Sequence, residues 1–410
     1  MRFFVFLSLC LSLWAKQPLP PLEAKLYAFI QNNQIIEHPL ERYVGTWPSY
    51  PKYTGVRKEI PESNSFMTLQ TLIILDEISQ EYTLPGLKKV ISRANKQILN
   101  YVKDAKKTDE PKGTIAFWPL IQDDNGRWIR SFDIQWYNSS MRILNVGNDF
   151  DTSSQAFVWL YLQNQDRRFL DDFVNTVGLF TDTNRSLEHP LNLQWKEPDS
   201  GAFLTWAEDE APIKEINRIM DLVNDVDCVV NLNILTSLSL YENNIASLPF
   251  HTRKAKEASC RLTHEVILMN KEERCATWYT RPSHFYLAYS KAYKADTYCL
   301  EQDKELILNR AKKRSRYLLA HPGLSYFTEM AEYIIILKSL VKNNKRGYFL
   351  RKLIVSLENE LKKGITVREN YAYLPSKHSL FGGEAFGLFR FNWYGRANAT
   401  ALALKALTMK

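Results

Sequence analysis

A chain of 410 residues, 45% of them apolar and 24% charged, is long enough to bury one large core or two ordinary ones, and its composition excludes a disordered protein. The formal net charge of +8 is mild for this length and gives no footing for a nucleic-acid partner. Lysines and arginines gather in runs such as 310–316, which suits the solvated outer face of a helix.

Met1 and Arg2, the apolar run from Phe3 to Leu13 and the small Ala15 predict an export signal over residues 1–15. That run is too short to span a bilayer. Leu9, directly before Cys10, is bulkier than a lipoprotein signal uses, so simple export to a secreted or periplasmic location is expected, with residues 16–410 forming one domain. No later stretch reads as a transmembrane span: the apolar run 333–337 is bracketed by Glu332 and Lys338. Cys228, Cys260, Cys275 and Cys299 would then meet an oxidising compartment, where spacing alone leaves their pairing open.

Amphipathic helices are predicted over 21–35, 87–102, 167–177, 253–269, 302–320 and 348–362, each with its charge on one side. Between them lie segments richer in apolar and small residues: 65–78, 153–162, 228–241, 282–293, 327–341 and 397–409. Outer and inner helices in strict alternation suggest an all-α fold, an (α/α)6 toroid, because each hairpin hides its inner helix only by closing into a ring with its neighbours. The long connections 103–148, 178–224 and 364–396 run from an outer helix to an inner one, whereas the turns at 163–166 and 342–347 are short. Long loops and inner-helix N-termini should therefore gather at one mouth, where function is expected.

Asp149 and Asp151, followed by hydroxyls, lead into the apolar Phe157–Leu160 stretch, and Asp225 and Asp227 lead likewise into 232–235. Carboxylates at helix starts can serve simply as caps, favoured by the dipole by about 0.3–1 kcal/mol. As catalytic groups the four would face one cavity. Asp151 lies nearer the apolar helix body and is the expected proton donor, with Asp149 the wetter of the two. Trp278-Tyr279-x-Arg281 and Trp393-Tyr394-x-Arg396 are alike, and with His284, Trp128 and Trp136 they are the candidate substrate-binding residues. Trp118, Trp195 and Trp206 would extend an aromatic wall, unless these rings merely plug the end of the toroid. No nucleotide loop, GxSxG elbow or HExxH is present, and no cofactor or metal is expected.

Lys112-Gly113, Phe117 and then Gln122 to Trp128, with Gly126 between, resemble the Gln-x-x-x-Gly-x-Trp repeat of squalene-hopene cyclase-like terpenoid cyclases. Asp149-Phe150-Asp151-Thr152-Ser153 similarly resembles their acid motif DxDD(T/S), with Thr152 in place of the last aspartate. The resemblance implies the terpenoid cyclase and prenyltransferase toroid superfamily, an isoprenoid-like substrate, protonation by Asp151, and aromatic faces that stabilise a carbocation by about 0.5–2 kcal/mol each. Asp225, Cys228 and His284 also resemble the zinc ligands of protein prenyltransferase β-subunits, at different spacing. Two other readings stay open: a glycan hydrolase or lyase, with Asp151 and Asp227 as paired carboxylates about 5–9.5 Å apart, and a non-catalytic toroid that binds glycan or a protein partner.

Overall fold

The computed structural model describes residues 16–53, 61–107, 111–122, 126, 128–130, 148–184, 200–207, 226–279, 281–323, 326–341, 345–375, 381–385 and 389–410. The expected leader, 1–15, lies outside them. The described chain is mostly helical: α1 (Pro21–Asn32), α2 (Ser65–Ser79), α3 (Leu87–Lys107), α4 (Phe150–Asn164), α5 (Arg168–Val177), α6 (Cys228–Asn244), α7 (Phe250–Leu268), α8 (Glu272–Cys275), α9 (Pro282–Lys294), α10 (Lys304–Ala320), α11 (Phe327–Leu340), α12 (Tyr348–Gly364) and α13 (Arg396–Thr408). Among the described residues no helix is long and apolar enough to cross a membrane.

Two kinds of helix follow from two sequence patterns. On α3 the buried residues Val90, Ala94, Ile98 and Tyr101 recur at three- and four-residue spacing, which puts them on one face and leaves lysines on the other. On α11 every residue from Phe327 to Lys338 is buried, and on α13 every residue from Ala397 to Ala406. A helix buried all round needs neighbours on all sides. The contacts supply them in a closed cycle: α2 packs on α4, α4 on α6, α6 on α9, α9 on α11, α11 on α13, and α13 returns to α2. The amphipathic helices back this cycle, α3 on α2, α5 on α4, α7 on α6, α10 and α12 on α11, and α1 on α13.

The connections are not plain loops. An antiparallel four-stranded sheet, in the order Phe381–Ala385, Phe389–Tyr394, Pro48–Tyr53 and Glu62–Ser63, joins the segment before α2 to the segment before α13. Asn148–Asp149 pairs with Ile115–Ala116 in the same way. The chain is mostly helical, as expected of an all-α fold, and its few short strands register the loops against one another at this end.

Two disulfides form, Cys228 with Cys275 and Cys260 with Cys299. They tie α6 to α8, and α7 to the turn Tyr298–Asp303 that precedes α10. Loops of 47 and 39 residues closed in this way contribute about 4 kcal/mol each in the chain-entropy picture. Cys228 is thus no thiolate, and the zinc set suggested by Asp225, Cys228 and His284 is excluded.

The cycle depends on α13, whose Lys405 pairs with Glu77 of α2 and whose Ala406 carbonyl accepts from Lys338 Nζ at 2.9 Å. Deletion of residues 396–410 should therefore abolish a cooperative thermal transition. A soluble truncation that melts cooperatively would show that closure is dispensable.

Candidate functional site

The start of α4 is held from three sides. Asp149 pairs in antiparallel fashion with Ile115 and bridges to Trp206, the Phe150 amide donates to Thr205 O at 3.0 Å, and the Ala207 amide donates to Asn148 O at 2.9 Å. Asn148 Nδ2 adds a bond of 2.6 Å to Thr114 Oγ1. Gly113, with φ of +78°, makes this approach possible, since a Cβ there would stand 2.4 Å from the Asp172 carbonyl oxygen.

Asp149 caps the helix: its Oδ1 accepts from the Thr152 amide at 2.5 Å. Its Oδ2 is buried and has no hydrogen-bond partner among the described residues. Burial, then the neighbouring charge of Asp151, pushes the Asp149 pKa up to about 7. Asp151 sits one position into the helix. Burial raises its pKa too, but Tyr279 OH, Asn233 Nδ2 (2.6 Å) and Gln155 Nε2 (3.1 Å) all donate to its carboxylate and pull the other way. Asp149 is 4% exposed and Asp151 7%, so Asp149 is not the wetter group, and it has fewer donors to stabilise its charge.

Asp227 caps α6 and is fully buried, accepting from the amides of Val229 (2.7 Å), Val230 (3.1 Å) and Trp278 (2.8 Å). Its counterpart in the first helix is Asp149, not Asp151. Asn64 performs the same service for α2, accepting from Met67 N at 2.8 Å. Asp225 and Trp136 lie outside the described residues. Trp128 begins a strand, Trp128–Arg130, that pairs with Leu120–Gln122.

A cavity of about 90 Å³ opens against the pair, walled by Phe66, Phe117, Trp118, Trp206, Trp278, Tyr279 and Trp393, with Asp149, Asp151, Thr152, Thr205 and Val230 completing the lining. Trp206 meets Trp278 edge to face at 5.4 Å, and Phe117 meets Trp118 at 4.9 Å. The two Trp-Tyr-x-Arg stretches thus send Trp278, Tyr279 and Trp393 to one place. Their arginines go elsewhere. Arg281 pairs with buried Glu332 at 2.7 Å and donates to His284 Nε2 at 2.8 Å, and the imidazole lies edge-on to Tyr279 at 5.5 Å. Burial opposes the Glu332 charge, yet Arg281 and His284 outweigh it and hold that carboxyl at about 2. Burial and then Arg281 push the His284 pKa down. This cluster supports Tyr279 from behind. Arg396 lies 5.5 Å over the Tyr50 ring.

Sequence reasoning missed Glu62. It is buried behind the aromatic wall and accepts from Ser49 Oγ (3.0 Å), Asn64 Nδ2 (3.2 Å) and Trp118 Nε1 (3.1 Å). Burial pushes its pKa up to about 7 as well. Its signal was the polar cluster Glu62-Ser63-Asn64-Ser65 before an apolar helix. A much larger groove, about 1250 Å³, lies at the other ends of α9 and α11 and contains neither carboxylate of the pair.

Comparison with protein-family models, with curated proteins and with solved structures gives no significant match.

Asp149 and Glu62 bind protons more tightly folded than unfolded. Between the ordinary carboxylate range near pH 4 and pH 7 the native state keeps protons that the unfolded chain has released. Their contribution to stability is full below that window, falls through it by at most about 1.4 kcal/mol per pH unit per group, and is flat above it. The wild-type melting temperature should consequently drop more between pH 5 and pH 8 than that of an Asp149→Asn, Glu62→Gln double variant. Parallel curves would show that neither group retains its proton.

Proposed function

We propose that the cycle of inner helices is the inner wall of an (α/α)6 toroid, and that the aromatic cavity at its mouth is the active site of an enzyme that protonates an isoprenoid-like substrate. Asp149 is the acid in this reading and Asp151 its ionised partner. The observation that carries it is the Asp149 carboxyl, which belongs to the lining of a cavity otherwise mainly of aromatic rings and whose Oδ2 is buried with no hydrogen-bond partner among the described residues. A carboxyl so placed holds a proton near neutral pH, with the Thr152 hydroxyl its side-chain neighbour, and in this reading passes it to a ligand in the cavity.

The lining favours an apolar ligand over a sugar. A sugar brings hydroxyls on most of its carbons, and each one buried without a partner costs about 1–3 kcal/mol. Beside seven aromatic faces the cavity offers two threonines, the acid pair and the polar edges of Tyr279 and the tryptophans. Asp227, the second carboxylate of the glycosidase reading, already accepts three backbone amides. Volume limits the chemistry further. With about 30 Å³ per liquid water, a cavity of 90 Å³ holds a small terminal group and not a folded polyprenyl chain.

In the proposed step Asp149 transfers its proton to one carbon of a double bond. The π pair becomes the new C–H bond, and positive charge is left on the adjacent carbon, facing the tryptophans. Loss of a proton from a neighbouring carbon to the Asp149 carboxylate restores the acid and leaves a shifted double bond. The likeness to the terpenoid cyclase motif supports this class of chemistry with the acid moved from Asp151 to Asp149. The basic-apolar leader, together with the two disulfides, supports a secreted or periplasmic location.

The test is deuterium incorporation from D2O into a panel of isoprenoid alkenes by the oxidised protein. Wild type should incorporate label, and Asp149→Asn should lose it by a factor of about 10²–10⁴ while still melting cooperatively. Full exchange by Asp149→Asn would remove the acid from its role, and turnover confined to oligosaccharides would replace this reading by the glycan one.

A further inference from the structure

A second cavity, of about 260 Å³, lies deeper along the same inner helices. It begins where the first ends: on α4, Asp151 faces the aromatic cavity and Gln155 the second, and on α6, Val230 and Asn233 divide in the same way. All six inner helices contribute to its wall. Part of that wall is apolar, with Ile73, Val158, Leu162 and Leu240, and part carries the ammonium groups of Lys291, Lys294 and Lys405.

Of the three ammonium groups, Lys405 pairs with Glu77 and Lys294 is exposed to solvent, which leaves Lys291 as the less exposed cation with no ion pair among the described residues. Its Nζ donates to Gln70 Oε1 at 3.2 Å, and this is its one hydrogen bond among the described residues. The charged groups around it are engaged with others. Glu77 of α2 pairs with Lys405 of α13, Asp151 of α4 is held by Asn233, Gln155 and Tyr279, and Glu332 of α11 pairs with Arg281. Asp76 of α2 and Lys294 of α9 also line the cavity, and burial pushes the Asp76 pKa up, which weakens it as a counter-ion. Burial and then Lys405 push the Lys291 pKa down to about 8. At neutral pH most of the ammonium therefore stays charged, with donors to spare and a cavity in front of it.

We propose that this second cavity binds a small organic carboxylate with an apolar tail, anchored by Lys291, and that the bound anion is felt at the acid pair. A hydrogen-bonded chain joins the two cavities: Lys291 Nζ to Gln70 Oε1, Gln70 Nε2 to Gln155 Oε1 at 2.5 Å, and Gln155 Nε2 to Asp151 Oδ1 at 3.1 Å. Lys291 at one end fixes the direction of both amides, so that each points its donor towards Asp151. An anion that compensates Lys291 removes part of the positive field that opposes the burial-driven rise of the Asp151 pKa. A single sheltered cation suits a monoanion, since a dianion would remain undercompensated in a mainly apolar wall. The binding claim stands on the cavity alone. Its effect on activity rests on the function proposed above.

Hexanoate and hexanol, added separately to the oxidised full-length protein, test the site by calorimetry. Hexanoate should bind saturably at pH 6.5 and hexanol at least tenfold more weakly. Affinity for hexanoate should fall above about pH 8 as Lys291 loses its proton. Lys291→Met should abolish the preference for the acid, and Lys291→Arg should retain it. Lys304→Met, which removes a cation from the pair with Glu301 on the outer helix, should bind as wild type does. Equal affinity for acid and alcohol, or a preference unchanged in Lys291→Met, overturns the proposal, and so does the absence of saturable binding to cooperatively melting wild type. None of these outcomes bears on deuterium exchange by Asp149, so the two readings fail separately.

Discussion

The inner helices have almost no surface to give to water, and the rest of the structure answers to that. Each large apolar side chain buried on α11 or α13 stabilises the fold by about 1.5–3 kcal/mol, but the same helices also carry charge inside. Every such charge has a designated partner: Glu329 with Arg314 at 2.8 Å, Glu332 with Arg281, Lys338 with Glu358 at 2.7 Å, Lys405 with Glu77. Buried pairs of this kind add little net stability over apolar residues of the same size, while losing one partner costs about 3–5 kcal/mol. They set register. A helix that rotated or slid in its slot would keep its apolar contacts and strand its charge.

The candidate site is where this rule of matched partners stops. Asp149 and Asp227 occupy the same position, at the start of an inner helix, and each spends one oxygen on backbone amides. Asp227 spends the other on the Trp278 amide and is finished. Asp149, a lining residue of the cavity, leaves its second oxygen buried with no hydrogen-bond partner among the described residues. Two aspartates of similar local geometry thus differ in what the second oxygen meets, and that difference separates a cap from a candidate acid.

The helices were legible because their period and composition speak locally. All twelve predicted segments are helices, with ends shifted by a few residues, and the contrast between one-sided α3 and fully buried α11 is visible in the bare string. Pairing across the chain was not legible. Asp151 receives donors from Asn233 and Tyr279, 82 and 128 residues away, and without them its position beside the apolar helix body argued for a neutral group. The strand Pro48–Tyr53 holds two prolines, its near partner Glu62–Ser63 is only two residues long, and its longer partner lies beyond residue 388, so little nearby marked it as sheet. Glu62, read as part of a connection, was lost with it. The cysteines were visible as four, but their pairing follows from how α7, α8 and the turn before α10 fold back, which spacing does not encode.

Two opposing effects meet at Asp149, and their sizes decide what it can do. The helix N-terminus favours a carboxylate by at most about 2 kcal/mol. Raising the pKa from 3.8 to about 7 requires roughly 4 kcal/mol in the other direction, so burial prevails. Its margin depends on what fills the cavity. Water there can solvate the ionised oxygen, and a ligand with hydroxyls can donate to it, so both lower the pKa. An apolar group that displaces the water removes that help and leaves the repulsion from Asp151 at full strength. The ligand that best loads the proton onto Asp149 is thus one unable to hydrogen-bond to it, and desolvation by the substrate both selects an apolar group and keeps the acid protonated for the π pair of its double bond to take the proton.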